Sequence, residues 1–367
     1  MELPKLPLFA MLSLLLQLTG VNGRAQCFDE SNYIRYTRLH GLSNNYISGI
    51  EEDSTGYIWV ATHKGLNRFD GKTFQSIFKG SVHSPLPDNQ IVSMRHPAEE
   101  EIIGTTRAGA FAFNPLCGQY KHFVIPCDSS IYFWTNHALD ILKDKLGNYV
   151  VSTKTGLYVF DPKGKLIKRY DHHIPSEVGS EELIFGRGVS MLKDGSILQQ
   201  NGLLGSLYNS STNTIDTLYI AKREGLKKHF TDDLGNLRTA WGGRNGEAFI
   251  LDREGNSIDV VDIGSSESCT NPMPFVVKSD VGWGSTLTYV NDSLLVITCR
   301  VNGFYVLHYN SRTRKLTCDG VRYFKGNVCT TVFRDRENRM WVGTADGLFK
   351  ENKQRSEEHR LNSSHRP

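Results

Sequence analysis

Short apolar runs alternate with turn residues along most of the chain, and one arrangement of them returns seven times. In its clearest copy a run beginning at Ile50 is followed by Asp53-Ser54-Thr55-Gly56, then by a second run from Tyr57 to Val60 and by Gly65-Leu66. Asp at the first and Gly at the fourth position of a turn are typical of type I geometry. Each copy therefore predicts several short antiparallel strands joined by tight turns.

The copies follow one another at blade-sized intervals, marked by a glycine that begins a late strand of each. These glycines are Gly65, Gly109, Gly156, Gly205, Gly246, Gly303 and Gly347. A unit of three or four strands cannot bury both of its faces alone, whereas seven units packed radially can. The sequence predicts an all-β fold, a seven-bladed β-propeller of antiparallel sheets, with repeats near 40–80, 85–125, 136–171, 186–220, 225–263, 284–318 and 327–350. The segment Tyr33 to Arg38 is expected to complete the last blade and close the ring.

The two ends of the chain differ from the repeats. A short start containing Lys5, an apolar run from Phe9 to Leu18 and a small-residue site at Ala25 are typical of a secretory signal peptide over residues 1–25. Residues 26–353 are then the propeller of an exported protein. No later apolar run approaches the roughly 20 residues that span a bilayer. The segment RSEEHRLNSSH lacks apolar periodicity, so residues 354–367 are expected to be a non-native tail.

Charge and cysteine content narrow the function only slightly. The 42 basic and 39 acidic residues leave a net charge of +3, which favours no nucleic-acid partner. Seven cysteines in an exported chain permit disulfides but leave one unpaired, and Cys117 and Cys127 are the pair closest in sequence. No C-x-x-C or zinc spacing occurs, so we expect no metal site and no cofactor.

One stretch carries a family resemblance. The residues are Leu39-His40-Gly41-Leu42-Ser43-Asn44-Asn45, Glu52-Asp53, Gly56, Ile58 to Thr62 and Gly65 to Phe69. They resemble the two-component regulator propeller repeat, and the resemblance extends over about residues 33 to 350, most clearly in the first, third and seventh copies. Such repeats form the periplasmic sensor region of bacterial hybrid two-component systems, many of which respond to breakdown products of complex carbohydrates.

The resemblance implies a role for this chain. It would be the ligand-sensing periplasmic propeller of a sensor histidine kinase, an N-terminal fragment with no enzymatic activity of its own. The parent would be a homodimer anchored in the inner membrane through a C-terminal part, with an oligosaccharide or other small molecule as ligand and no nucleic acid bound by this region. The alternatives are an exported propeller lyase or hydrolase acting on polysaccharide, and a scaffold for protein partners. No G-x-S-x-G or H-E-x-x-H motif supports catalysis.

Two recurring features have structural interpretations. Trp59 and Trp341 occupy the same mid-strand offset, which favours wedges between blades over ligand stacking. Each unit has an apolar anchor in its first strand, and the anchors are Ile50, Met94, Ile141, Met191, Phe230, Tyr289 and Val332. Polar or small residues recur five positions before these anchors, and they are Asn45, Asn89, Asn136, Gly186, Gly225, Gly284 and Asn327. They could ring the channel mouth, but Asn and Gly also tolerate positive φ, so a shared turn shape is favoured.

Strand direction suggests a binding face. If each unit begins at one face, the turn before each marker glycine returns to that face, together with the loops that precede each unit. These segments contain His63, Lys64 and the eight candidate ligand-binding residues, which are Arg107, Trp134, His137, Lys154, Arg187, Arg244, Trp283 and Arg300. Arginine forks bind carboxylates and sulfates bidentately, so this face is suited to an anionic sugar. The competing interpretation is ordinary loop charge, since Asp346 stands in the seventh copy and Lys145 and Arg336 lie on the other face.

Overall fold

Seven four-stranded antiparallel sheets make up the part of the chain that the computed structural model describes. That part comprises residues 28–96, 101–126, 137–153, 156–171, 188–191, 195–201, 204–219, 239–242, 247–251, 257–262, 267–273, 286–299 and 303–353. The fold is an all-β seven-bladed propeller, as the repeats predict. Short 3₁₀ turns at Glu30–Asn32 and Arg38–His40 flank the first strand. The predicted leader and the predicted tail lie outside the described residues.

The strands of each blade follow one another from the propeller axis outward. Blade 1 contains β2 (Ile47–Glu52), β3 (Ile58–Thr62), β4 (Gly65–Phe69) and β5 (Phe74–Ile77). Blade 2 contains β6 (Ile91–Arg95), β7 (Ile102–Thr106), β8 (Gly109–Phe113) and β9 (Tyr120–Phe123). Blade 3 contains β10 (Ala138–Lys143), β11 (Tyr149–Thr153), β12 (Gly156–Phe160) and β13 (Leu166–Asp171).

The second half repeats the plan. Blade 4 contains β14 (Val189–Met191), β15 (Ile197–Asn201), β16 (Leu204–Asn209) and β17 (Thr214–Tyr219). Blade 5 contains β18 (Thr239–Gly242), β19 (Glu247–Leu251), β20 (Ser257–Asp262) and β21 (Ser268–Pro272). Blade 6 contains β22 (Leu287–Asn291), β23 (Leu294–Thr298), β24 (Phe304–Asn310) and β25 (Lys315–Tyr323). Blade 7 contains β26 (Cys329–Arg334), β27 (Met340–Thr344), β28 (Gly347–Glu351) and β1 (Tyr33–Tyr36).

The last blade is closed by the first strand of the chain. β1 pairs antiparallel with β28, with Tyr33 opposite Glu351 and Tyr36 opposite Leu348. The expectation that the segment from Tyr33 completes the ring is confirmed. Strands from both ends of the described chain thus share one sheet, so opening the ring requires loss of strand pairing.

The core lies between the blades, because the middle strands are covered on both faces. Every residue of β3, β7, β8, β11, β12 and β27 is buried, whereas the outer strand β5 is only partly buried. Trp59 of blade 1 packs with Met94 and Phe113 of blade 2. Trp341 of blade 7 packs with Phe69 of blade 1. Both tryptophans are therefore the interblade wedges that their position predicts.

The turns between the first two strands of the blades are held by their aspartates. In blade 1, Oδ1 of Asp53 accepts the main-chain N–H groups of Thr55 and Tyr57 at 2.9 and 3.1 Å. The N–H of Gly56, with φ at +91°, donates to the Asp53 carbonyl. In blade 7, Asn338 takes the place of the glycine, also at positive φ. These aspartates form turns, as the sequence predicts.

Candidate functional site

The antiparallel order of the strands places two sets of segments on one face of the propeller, called the loop face here. The first set is the turns between the second and third strands, residues 63–64, 107–108 and 345–346 in blades 1, 2 and 7. The second set is the segments that lead into the innermost strands. The Asp turns lie on the opposite face, called the turn face. The predicted basic turns of blades 1 and 2 therefore share a face with the segments that precede the innermost strands, whereas Arg244 falls between the first two strands of blade 5, a connection that belongs to the turn face.

A repeated hydroxyl contact shapes the loop-face turns. The Oγ1 of Thr62 donates to the carbonyl of Gly65 at 2.8 Å. Thr106, Thr153 and Thr344 make the same contact with Gly109, Gly156 and Gly347. The hydroxyl is buried in each case, so the hydrogen bond fixes the shape of the turn. The turn in this way positions the side chains that it carries on the loop face.

Three recurrent asparagines of the loop face each link a blade to the blade before it. The carbonyl of Asn89 accepts the N–H of Gly65 at 2.7 Å, and the carbonyls of Asn45 and Asn327 accept those of Gly347 and Gly303. Oδ1 of Asn89 also accepts the N–H of Lys79 at 2.7 Å. A structural role therefore fits these three asparagines. The predicted reason for that role, a backbone with positive φ, is wrong, because none of the three has a positive φ. The other four positions lie outside the described residues.

An aromatic stack on the loop face adjoins the predicted cations. The rings of Tyr46 and His63 are parallel within 14°, with their centroids 3.7 Å apart. Burial lowers the pKa of His63, and the nearby charge of Arg107 lowers it further. Lys64 and Arg107 are exposed. A neutral aromatic surface flanked by two cations thus spans blades 1 and 2.

Blade 7 carries an acid in the turn where blades 1 and 2 carry a base. Asp346 occupies the turn position of Lys64 in blade 1 and of Ala108 in blade 2, and its carboxylate pairs with the Arg35 guanidinium on β1. Its Oδ1 also accepts from Nδ2 of Asn45 at 3.1 Å. Asp346 therefore ties the closing strand to blades 7 and 1 and limits the basic surface at this edge.

The structure describes two of the eight predicted ligand-binding residues. Arg107 is exposed in the β7–β8 turn, and His137 is partly buried just before β10, so both lie on the loop face. The structure brings Arg107 close to His63. The other six predictions lie outside the described residues, and they are Trp134, Lys154, Arg187, Arg244, Trp283 and Arg300. Tyr46 was not among the predicted site residues, because only the fold stacks it on His63.

A second polar cluster, also absent from the sequence predictions, lines the central channel. The guanidinium of Arg95 on β6 forms a bidentate ion pair with Asp140 on β10. Its Nε donates to Oδ1 at 2.9 Å, and its Nη2 donates to Oδ2. Oδ2 of Asp140 also accepts the N–H of Val189 on β14 at 3.1 Å. Glu51 on β2 lies beside Arg95, and burial raises its pKa to about 8 despite the opposing effects of Arg95 and the His96 main chain. Four innermost strands thus converge on this cluster.

Metal ligands and free thiols are the other candidate chemistries of the described residues. No group of three or more His, Cys, Asp and Glu side chains there is placed to hold a metal ion. Cys117 is an exposed free thiol, while Cys127 lies outside the described part. No helix within the described ranges is long and apolar enough to cross a bilayer.

Comparison with known proteins first defines a class, the seven-bladed β-propellers. The fold is similar to the extracellular domain of BT3049 from B. thetaiotaomicron, described as a hybrid two component system, with a TM-score of 0.60 and 20% identity over 87% of this chain and 42% of that chain. The extracellular domain of BT4673 gives a TM-score of 0.64 at 16% identity over 88% and 43%. Streptogramin B lyase gives a TM-score of 0.61 at 10% identity, over 88% of this chain and 98% of that chain. At these identities the likeness shows the fold alone.

Sequence comparison then identifies the repeat. Residues 41–64 match the family described as two component regulator propeller, so the predicted resemblance is confirmed. Histidine kinase P4 from Formosa agariphila is 45% identical over 47 residues, which are 12% of this chain and 3% of that protein. The chain spans less than half of the matched extracellular domains BT3049 and BT4673. It is a seven-bladed propeller in which residues 41–64 match the two component regulator propeller family, and its fold is similar to the extracellular domains of BT3049 and BT4673.

Proposed function

We propose that this chain is the ligand-sensing propeller of a periplasmic two-component sensor, and that its loop face binds an anionic oligosaccharide released from a larger carbohydrate. The match of residues 41–64 to the regulator repeat supports the sensing role. The relatives with the same fold include extracellular domains of two-component systems, which supports a position outside the cytoplasm. The propeller contributes recognition in this proposal, and a kinase in the parent protein contributes the phosphorylation.

The Tyr46–His63 stack beside Arg107 is the observation that carries the choice of ligand. Stacked rings present apolar area against which the C–H face of a sugar packs, while Tyr and His keep polar atoms at the ring edges. Arg107 and Lys64 supply exposed donors for a carboxylate or sulfate. His63 is held neutral at pH 7 by its lowered pKa, so it adds hydrogen bonding without charge.

Calorimetric titration of the full chain with uronate, sulfated and neutral oligosaccharides of equal length tests this proposal. The anionic sugars are expected to bind saturably, and R107Q is expected to weaken them about tenfold, the cost of one charge-assisted pair. Neutralising Arg107, Arg187 and Arg300 together should abolish binding. R312Q is the matched control, because Arg312 is exposed in the β24–β25 turn on the turn face. Equal effects of R107Q and R312Q would contradict the loop-face site.

Signalling requires that the ligand favours one of two arrangements of the sensor. In our proposal the parent protein is a homodimer, and ligand bound at the loop face shifts the packing of the extracellular domains. Full-length parent protein in liposomes should then autophosphorylate faster with the oligosaccharide that binds the propeller, and R107Q should remove this stimulation. Hydrolysis or β-elimination of the oligosaccharide by the chain would instead favour the alternative of an exported lyase or hydrolase.

A further inference from the structure

The loop face changes charge across the Tyr46–His63 stack, and its acidic side is blade 7. The carbonyl of Asn45, which precedes Tyr46, accepts the N–H of Gly347 at 2.8 Å. Asp346 lies in the turn just before Gly347, and its Oδ1 accepts from Nδ2 of Asn45 at 3.1 Å. The acidic turn of blade 7 is therefore in direct contact with the segment that carries Tyr46.

The basic side of the stack is blade 2. The N–H of Gly65, which follows the turn formed by His63 and Lys64, donates to the carbonyl of Asn89 at 2.7 Å. Asn89 leads into β6, whose first residue is paired with the last residue of β7, and Arg107 comes directly after β7. Lys64 and Arg107 are both exposed. The two cations therefore lie on the side of the stack that is away from blade 7.

Asp346 offers a ligand hydrogen-bond acceptors rather than a positive charge. Its side chain is 69% exposed, and Arg35 directs Nε and Nη2 at its main-chain carbonyl and Nη2 also at Oδ2. Arg35 lies on β1, the outer strand of blade 7, whereas Oδ1 lies on the side of Asn45 and blade 1. A carboxylate with one donor on Oδ1 can still accept from a sugar hydroxyl, but it repels a second anion.

We infer that the loop face selects an oligosaccharide that is charged at one end only, and that it binds this ligand in one direction. The terminal anionic residue lies on blade 2, where Arg107 and Lys64 bind its carboxylate. A neutral residue packs on the Tyr46–His63 stack, and the next neutral residue donates hydroxyl hydrogen bonds to Asp346. The inference rests on the sugar-binding function proposed above and narrows its ligand to one with a single terminal uronate. Asp346 is then the residue that disfavours uniformly charged chains.

Calorimetric titration of the full chain with a trisaccharide that has one terminal uronate, a trisaccharide of uronates only and a neutral trisaccharide tests this selectivity. The end-charged sugar is expected to bind at least about fivefold more tightly than the fully charged sugar. Non-specific attraction to a basic surface would give the opposite order, because the fully charged sugar carries more negative charge. Equal affinities, or tighter binding of the fully charged sugar, would overturn the inference and leave the proposed sugar site standing. If neither anionic sugar binds saturably, the proposed site and the inference both fail.

A matched pair of variants tests the role of Asp346. D346N removes the charge but keeps an acceptor for Arg35, so it should strengthen binding of the fully charged sugar about fivefold and abolish the preference. Glu337 is 68% exposed and pairs with Arg339, much as Asp346 pairs with Arg35, but it lies on the turn face of the same blade. E337Q should therefore keep the preference of the parent chain. Equal effects of D346N and E337Q would overturn the role of Asp346.

The direction of binding is tested by a variant that leaves Asp346 in place. Ala108 is exposed and occupies the equivalent turn position in blade 2, because its N–H donates to Oγ1 of Thr106 at 3.2 Å as that of Asp346 donates to Oγ1 of Thr344 at 3.1 Å. A108D therefore places the same acid beside Arg107, and it should weaken binding of the end-charged sugar at least about tenfold. If A108D leaves that affinity unchanged, the anionic end does not lie on blade 2, and the inference is overturned. This result decides the direction even if D346N fails to fold.

Discussion

The indole Nε1 of Trp59 donates a hydrogen bond of 2.7 Å to Oδ2 of Asp53, so the wedge between blades 1 and 2 is tied to the turn that precedes its own strand. Trp341 and Asp335 repeat the pair in blade 7 at 2.8 Å. Burial alone would raise the pKa of Asp53, but hydrogen bonds from Thr55, Trp59 and Tyr57 outweigh it and lower the pKa. One carboxylate thus shapes a turn and orients a core side chain.

The two pairs differ in one donor, which predicts unequal effects of the same substitution. W59F leaves Oδ2 of the buried Asp53 without a hydrogen bond and should cost about 2–3 kcal/mol of unfolding free energy. W341F should cost roughly 1 kcal/mol less, because Nε of Arg339 still donates to Oδ2 of Asp335 at 2.7 Å. Urea unfolding with a common m-value measures both. Equal losses would show that the Asp–Trp bond contributes little beyond ring packing.

The marker glycines are predicted to be intolerant of any side chain. A Cβ at Gly65, where φ is +113°, would lie 2.8 Å from the Ile77 carbonyl oxygen of the outer strand, and one at Gly109 would lie 2.5 Å from that of Phe123. Gly71 also has positive φ, at +97°, but nothing lies within 4 Å of its Cβ position. G65A and G109A should therefore each lose at least about 1 kcal/mol more than G71A. Thermal unfolding of the three variants measures the difference, and a similar loss in all three would attribute it to φ alone.

The fold could be predicted from the sequence because its determinants are local and repeated. The Asp turns, the buried middle strands and the marker glycines recur in the clearest copies, and Tyr33–Tyr36 resembles the outer strands of the other blades. The role of Asn89 could not be predicted, because its partner Gly65 belongs to the preceding blade and the bond uses main-chain atoms common to all residues.

The channel cluster escaped prediction for a different reason. Glu51, Arg95 and Asp140 come from three copies, and Asp140 lies one residue before its strand anchor whereas the other two follow theirs. No single copy contains more than one of these three residues, so comparing the copies with one another does not reveal the cluster. Only the convergence of β2, β6 and β10 at the axis brings the three side chains together.

Glu51 should make the stability of the propeller depend on pH. Its folded-state pKa is raised from 4.5 to about 8, so the folded protein retains a proton that the unfolded chain releases. The associated stability is fully present below the unfolded pKa and is lost as pH rises through about 8, at roughly 1.4 kcal/mol for each unit of pKa difference. E51Q should flatten this decline and be the more stable protein above pH 8. Urea midpoints measured across that window check it, and parallel curves for the two proteins would contradict it.

Arg107 and His63 provide a spectroscopic test of the loop-face geometry that requires no ligand. Burial is the larger cause of the lowered pKa of His63, and the charge of Arg107 is the second. R107Q should therefore raise the pKa of His63 part of the way toward its ordinary value, while R312Q, on the turn face, should leave it unchanged. Titration of the His63 ring protons by NMR, with H63Q to assign the signal, measures the shift. If R107Q leaves the His63 titration where it is, Arg107 does not reach the Tyr46–His63 stack, and the anionic end of a sugar lying on that stack would need a different cation.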